Sequence, residues 1–184
     1  MTMTPQGMFF SNMELQTNRS VIRDYYSMSY DDMDDLGDYI HKVKMSAVFR
    51  DSYIDSDDLA FFAPKLGSWK KTISLNGKVR GTVDDITGTD MRIQAGNGTL
   101  LYGNLSLTGL PDINQTFIDL KADDLRTTWV DAASMVPAIQ RISSPDLRQL
   151  QYVQFRGNFT GFIRDFVTFG TLQTNLGTLT TDIN

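Results

Sequence analysis

Apolar and polar residues alternate with a period of two along most of the chain. Ile73, Leu75, Val79 and Val83 share one phase, and Thr72, Ser74, Lys78 and Arg80 hold the other. Leu101, Leu105 and Leu107 alternate with Tyr102, Asn104, Ser106 and Thr108. Val153, Phe155, Phe159 and Ile163 alternate with Gln154, Arg156, Asn158 and Thr160, and Met28, Val43, Met45 and Ala47 extend the habit toward the N-terminus. Successive side chains of a strand point to opposite faces, so these segments read as strands with one apolar and one wet face. Asn76-Gly77, Gly96-Asn97-Gly98 and the run from Thr108 to Asp112 supply the turns between them. Short helices are expected near 57–63 and 129–135, each opening at a capping residue and closing at a proline. Ser144 and Pro145 suit a further helical start. The predicted fold class is mainly β: an antiparallel, repeated sheet folded into a trough or open sandwich, with two or three short helices.

The chain also repeats itself. Leu15-Gln16-Thr17-Asn18 recurs as Leu172-Gln173-Thr174-Asn175, and Ile93-Gln94-Ala95-Gly96-Asn97 is a close variant midway. Gly77 to Asp85 and Gly157 to Asp165 both read Gly-x-apolar-x-Gly-x-apolar-x-Asp. A looser pair joins Ser56–Pro64 to Thr128–Pro137. Fixed-period self-similarity is the mark of a repeat architecture. Residues 1–184 are therefore expected to be a single β-repeat segment of a longer protein. It would hold about two repeats of roughly 79 residues, with an approximate boundary near 91.

A sheet with one apolar face needs a helix layer, a second sheet or a foreign apolar body against it. No amphipathic stretch of helical length occurs outside 128–150, and Pro137 and Pro145 interrupt that one. Two arrangements remain open. The apolar faces pack on each other as a sandwich, or the sheet leaves a groove. In the second, Ile73, Leu75, Val79, Val83, Leu105, Leu107, Phe155, Phe159 and Ile163 line a surface for acyl chains.

Composition narrows the chemistry. Seventeen Lys and Arg stand against 22 Asp and Glu, for a net charge of −5. That balance disfavours nucleic acid, whose phosphates call for clustered cations. With no cysteine, disulfides, thiol nucleophiles and Cys-type zinc sites are excluded. No segment approaches the ~20 apolar residues of a membrane helix, and the N-terminus lacks a signal-peptide pattern. His41, the sole histidine, reads as solvated, which removes most zinc and triad arrangements. Asp31-Asp32-Met33-Asp34-Asp35 lacks the EF-hand order of ligands and reads as an acidic loop or helix start. Asn-x-Ser/Thr triplets at Asn18, Asn97, Asn104, Asn114 and Asn158 read as polar-face residues. No catalytic centre, cofactor or metal site is expected.

The runs from Asn76 to Val83, from Ile93 to Thr99 and from Leu105 to Asp112 resemble the repeats of AsmA/TamB-type envelope proteins. Ala60-Phe61-Phe62-Ala63-Pro64 and the run from Asp24 to Tyr30 fit the same style, which is closest to the large TamB-like proteins of Bacteroidetes envelopes. The resemblance implies a periplasmic β-trough with an apolar interior, in a parent anchored in the inner membrane. It further implies phospholipid transfer, a role in outer-membrane biogenesis and an outer-membrane barrel partner for the parent. An isolated segment would close its groove by dimerising or folding over. The competing expectation is a secreted or surface β-repeat adhesin or glycan-binding module, with a closed apolar core and exposed aromatics.

Overall fold

The computed structural model describes all residues except 61–66, 68, 136, 142–145 and 184, and no side chains at 137, 138 and 181–183. Eleven strands pair antiparallel in chain order to form one open, unclosed sheet. They are β1 (Thr2–Thr4), β2 (Gly7–Gln16), β3 (Val21–Ser29), β4 (Lys44–Asp55), β5 (Thr72–Gly81) and β6 (Asp85–Ala95). Then follow β7 (Thr99–Thr108), β8 (Phe117–Thr128), β9 (Tyr152–Phe162), β10 (Asp165–Thr174) and β11 (Gly177–Ile183). Three short helices lie in the connections: α1 (Tyr39–Lys42), α2 (Ser56–Leu59) and α3 (Trp129–Met135). Helices α2 and α3 occupy the two predicted helical positions. Residues 61–63 of the first, and the helical start expected at Ser144 and Pro145, lie outside the described residues.

The chain is mainly β and antiparallel, as its alternation predicts. Among the described residues, substantial contacts run only between adjacent strands and between helices and their neighbours in the chain. No second layer of described residues lies on the sheet, so its described apolar rows do not close on each other as a sandwich. The exposed area makes the same point: 11501 Å², against ~8,900 Å² for a compact chain of this mass. Buried apolar residues are correspondingly few and mostly small, among them Ala47, Met91, Ala95 and Ala122.

The textual matches fall at equivalent places in a four-strand cycle. Leu15, Ile93 and Leu172 stand near the ends of β2, β6 and β10. Gly81 faces Ile86 across the β5–β6 turn as Gly161 faces Phe166 across the β9–β10 turn. Helix α2 follows β4 and α3 follows β8. The third residue of each helix ties down a strand turn beside it. Asp58 accepts from the hydroxyls of Thr17 (2.7 Å) and Ser20 in the β2–β3 turn. Asp131 accepts from the backbone N–H groups of Asn97 (3.1 Å) and Gly98 (2.6 Å) in the β6–β7 turn. Lys71, just before β5, reaches Asp131 at 3.0 Å and links the two assemblies along one end of the sheet.

Asp131 is 5% exposed and Lys71 is 18% exposed, so neither is satisfied by bulk water. Desolvation opposes ionisation of Asp131, but the bonds from Lys71, Gly98 and Asn97 outweigh it and hold the carboxyl below the usual range. A depressed folded-state pKa stabilises above the unfolded value of about 3.9, and that contribution is lost as pH falls through the folded value. Asp131→Ala should cost about 2–4 kcal/mol at pH 7, because it strands a partly buried ammonium and two turn donors. Urea unfolding should also show a shallower loss of stability below about pH 4 than in the wild type. An unchanged urea midpoint at pH 7 would overturn this role for Asp131.

Candidate functional site: the apolar face of the sheet

In antiparallel pairs, facing residues project to the same side, so the register resolves the sheet into rows. One row crosses ten strands: Met3, Met8, Met28, Met45, Gly81, Ile86, Leu107, Ile118, Gly161 and Phe166. Every member is apolar or glycine. A second row runs through Phe10, Tyr26, Ala47, Val79, Gly88, Leu105, Leu120, Phe159 and Thr168. A third joins Leu75, Ile93, Leu101, Leu125, Phe155, Leu172 and Leu179 from β5 to β11. Most of these side chains are half-buried, shielded by their neighbours in the sheet and, at Tyr26, by Tyr39 of α1.

The polar groups on this face are satisfied locally. The Tyr26 hydroxyl bonds that of Tyr39, and burial together with that bond raises its pKa. Thr168 donates to the Asn158 carbonyl at 2.9 Å, and the hydroxyls of Thr99 and Thr127 meet at 2.8 Å.

Of the residues picked out by alternation, Ile73, Leu75 and Val79 lie on β5, Leu105 and Leu107 on β7, and Phe155 and Phe159 on β9. The register brings all seven onto one face. Val83 and Ile163 stand apart. β5 ends at Gly81 and β9 at Phe162, so both fall in turns beyond the strands. The Val83 N–H donates to the Ile40 carbonyl, and Ile163 is 46% exposed.

Alternation placed Leu101 with Leu105 and Leu107 and left out Ile93, Leu120, Leu125 and Leu172; for Ile93, Leu120 and Leu125, on β6 and β8, the physical reason is a belt of β-bulges. The ladders shift between Phe10 and Met13 on β2, Phe49 and Ser52 on β4, Gly88 and Met91 on β6, and Ala122 and Leu125 on β8. Each shift inserts one residue and reverses the inward phase partway along an even-numbered strand. Asn12, Asp51 and Asp90 take positive φ at the first three. Asn and Asp inside otherwise apolar-alternating strands were the available signal, since they tolerate that conformation best after glycine.

On the odd-numbered strands the belt is lined by glycine. Gly103 and Gly157 both have φ 153, and a methyl group there would overlap the carbonyl oxygens of Lys121 and Phe169. Bulges bend a strand and raise its twist, so the belt sets the curvature of the apolar face.

The remaining candidates do not assemble a reactive centre. His41 is exposed in α1 and bonds Asp38 at 2.6 Å. Asp32 caps a short 3-10 helix spanning Met33–Asp38, and Asp35 takes the Asp31 and Asp32 N–H groups and the Lys42 ammonium. Among the described residues no group of three or more His, Asp or Glu is placed to hold a metal ion. Comparison with protein-family models, curated proteins and solved structures found no match.

Gly103→Ala and Gly157→Ala should each destabilise the protein by about 1–3 kcal/mol, the cost of a forbidden backbone region. Gly37→Ala, with nothing within 4 Å of the added methyl, should stay within about 0.5 kcal/mol of wild type. Urea denaturation of the three variants distinguishes the belt from ordinary surface.

Proposed function

We propose that this chain is a non-enzymatic segment whose open apolar face carries phospholipid acyl chains, as part of an AsmA/TamB-like periplasmic protein serving outer-membrane biogenesis. The observation behind this reading is the run of apolar rows across up to ten strands, with no second layer of described residues upon it. An acyl chain needs apolar contact and no directional polar partner. Each methylene taken fully out of water contributes about 0.8 kcal/mol, so several half-covered methylenes hold a chain without gripping its head group. Weak, unselective contact suits transfer, because a tightly held lipid does not move on. The parent protein would be anchored in the inner membrane and act with an outer-membrane barrel.

A second reading, an adhesin or glycan-binding module, draws on the opposite face. There Phe117 and Phe162, each 40% exposed, meet edge to face at 5.4 Å, and Tyr102 and Tyr152 are also exposed. Aromatic faces stack on sugars, but the closed apolar core expected for this class is not what the sheet forms.

Leu105 sits mid-sheet between Gly88 and Leu120. Leu105→Asp places a charge in the proposed acyl path, where desolvation is costly. It should lower affinity for a fluorescent fatty-acyl probe at least tenfold and abolish phospholipid co-purification in native mass spectrometry. Thr87→Asp, on the exposed opposite face, should leave both unchanged. A folded wild type that binds neither probe nor phospholipid, or a folded Leu105→Asp that binds as well as wild type, sinks the acyl-carrier reading.

A further inference from the structure

Four of the nine methionines of the chain stand in one cross-strand row. Met3 faces Met8, Met8 faces Met28, and Met28 faces Met45. Met13 and Met91 share no such arrangement, since they face Asp24 and Gly103. Directly facing Cβ atoms are ~4.5–5.5 Å apart, so Met8 and Met45 flank Met28 at about one strand spacing on either side. The methionine side chain is unbranched and turns about three bonds, which lets the outer two thioethers lean toward the central one. The next position in the row is Gly81, whose lack of a side chain leaves room beside Met45. Met8, Met28 and Met45 are half-buried and Met3 is 57% exposed, so the row is reachable from solvent yet partly desolvated.

We propose that this row is a binding site for a soft monovalent cation, Cu(I) or its redox-inert counterpart Ag(I), held by the thioether sulfurs of Met8, Met28 and Met45. Thioethers are soft, neutral ligands that select such ions and give hard divalent cations little. The row contains no carboxylate, imidazole or amine to compete. A single positive charge is also the cheapest to accommodate on an apolar face. The surroundings favour a cation too. The β3–β4 connection, which begins just past Met28 and returns just before Met45, carries Asp31, Asp32, Asp34, Asp35 and Asp38 against Lys42 and His41. Such a negative loop concentrates cations at the mouth of the site. This inference stands on the methionine register and does not depend on what the rest of the face carries.

The test is anaerobic titration of the full chain with Ag(I), and with Cu(I) against a colorimetric chelator, followed by X-ray absorption of the Cu(I) complex. Wild type should take up one ion per chain with a sulfur-only coordination shell. Met28→Leu, a nearly volume-conserving change, should weaken binding at least a hundredfold, and Met8→Leu and Met45→Leu at least tenfold each. Met135→Leu, in α3, should bind as wild type. Retained strand signal by circular dichroism shows that a weakened variant is folded. No uptake by wild type, a coordination shell of nitrogen and oxygen, or equal losses across all four variants overturns the site.

Discussion

The side-chain period of a strand is two, and an eleven-stranded sheet with one apolar face must keep that parity in step across every ladder. One slip of a single residue would turn a strand's whole apolar set to the opposite side. Here parity is not held by regularity. It is reset within β2, β4, β6 and β8, each time at the same height, and the odd strands between them answer with residues of positive φ such as Gly77, Gly103 and Gly157. Because insertion and accommodation sit side by side, the apolar rows stay continuous above and below the belt. The bend comes with the same device. A sheet of this width without such a belt would twist along its length with no fixed crease.

Stability in this architecture does not come from a central core. Among the described residues the fully buried side chains are Val43, Thr116, Ser52 and Ser56, none of them large. Backbone ladders and hydrogen-bonded ends do the holding. Ser52 illustrates the mode: its hydroxyl accepts from the Arg23 N–H at 2.9 Å beside the β4 bulge, closing a gap that the insertion opened. The carboxylates of Asp58 and Asp131 do the same for two strand turns. Polar bonds at the margins release the broad face from the need to be covered.

How much of this was legible in the chain follows from the same geometry. β5, β7 and β9 contain no inserted residue, so plain alternation placed Ile73, Leu75, Val79, Leu105, Leu107, Phe155 and Phe159 together. It ran past the strand ends at Val83, two residues beyond β5, and at Ile163, one beyond β9, because alternation carries no information about where pairing stops. The even strands hid their inward residues: Ile86 and Gly88 share a phase that Met91, Ile93 and Ala95 do not continue. The methionine row was equally hidden, because it is made of long-range register across four strands and has no local spacing. Helices α2 and α3 were visible from caps and prolines, but the reach of Asp58 and Asp131 onto distant turns was not, since their partners lie 33 to 41 residues away.

Adjacency without any second layer has one more consequence. Each strand draws its support only from the two beside it, so the molecule behaves as a one-dimensional chain of coupled units, with stability summed over neighbouring interfaces. In such a ladder the ends fray first, and disruption spreads by unzipping. A weak interface in the middle, such as one at β6–β7, would split cooperative melting into two partly independent blocks. The same property makes the architecture extensible: a further strand adds one interface and leaves the others as they were.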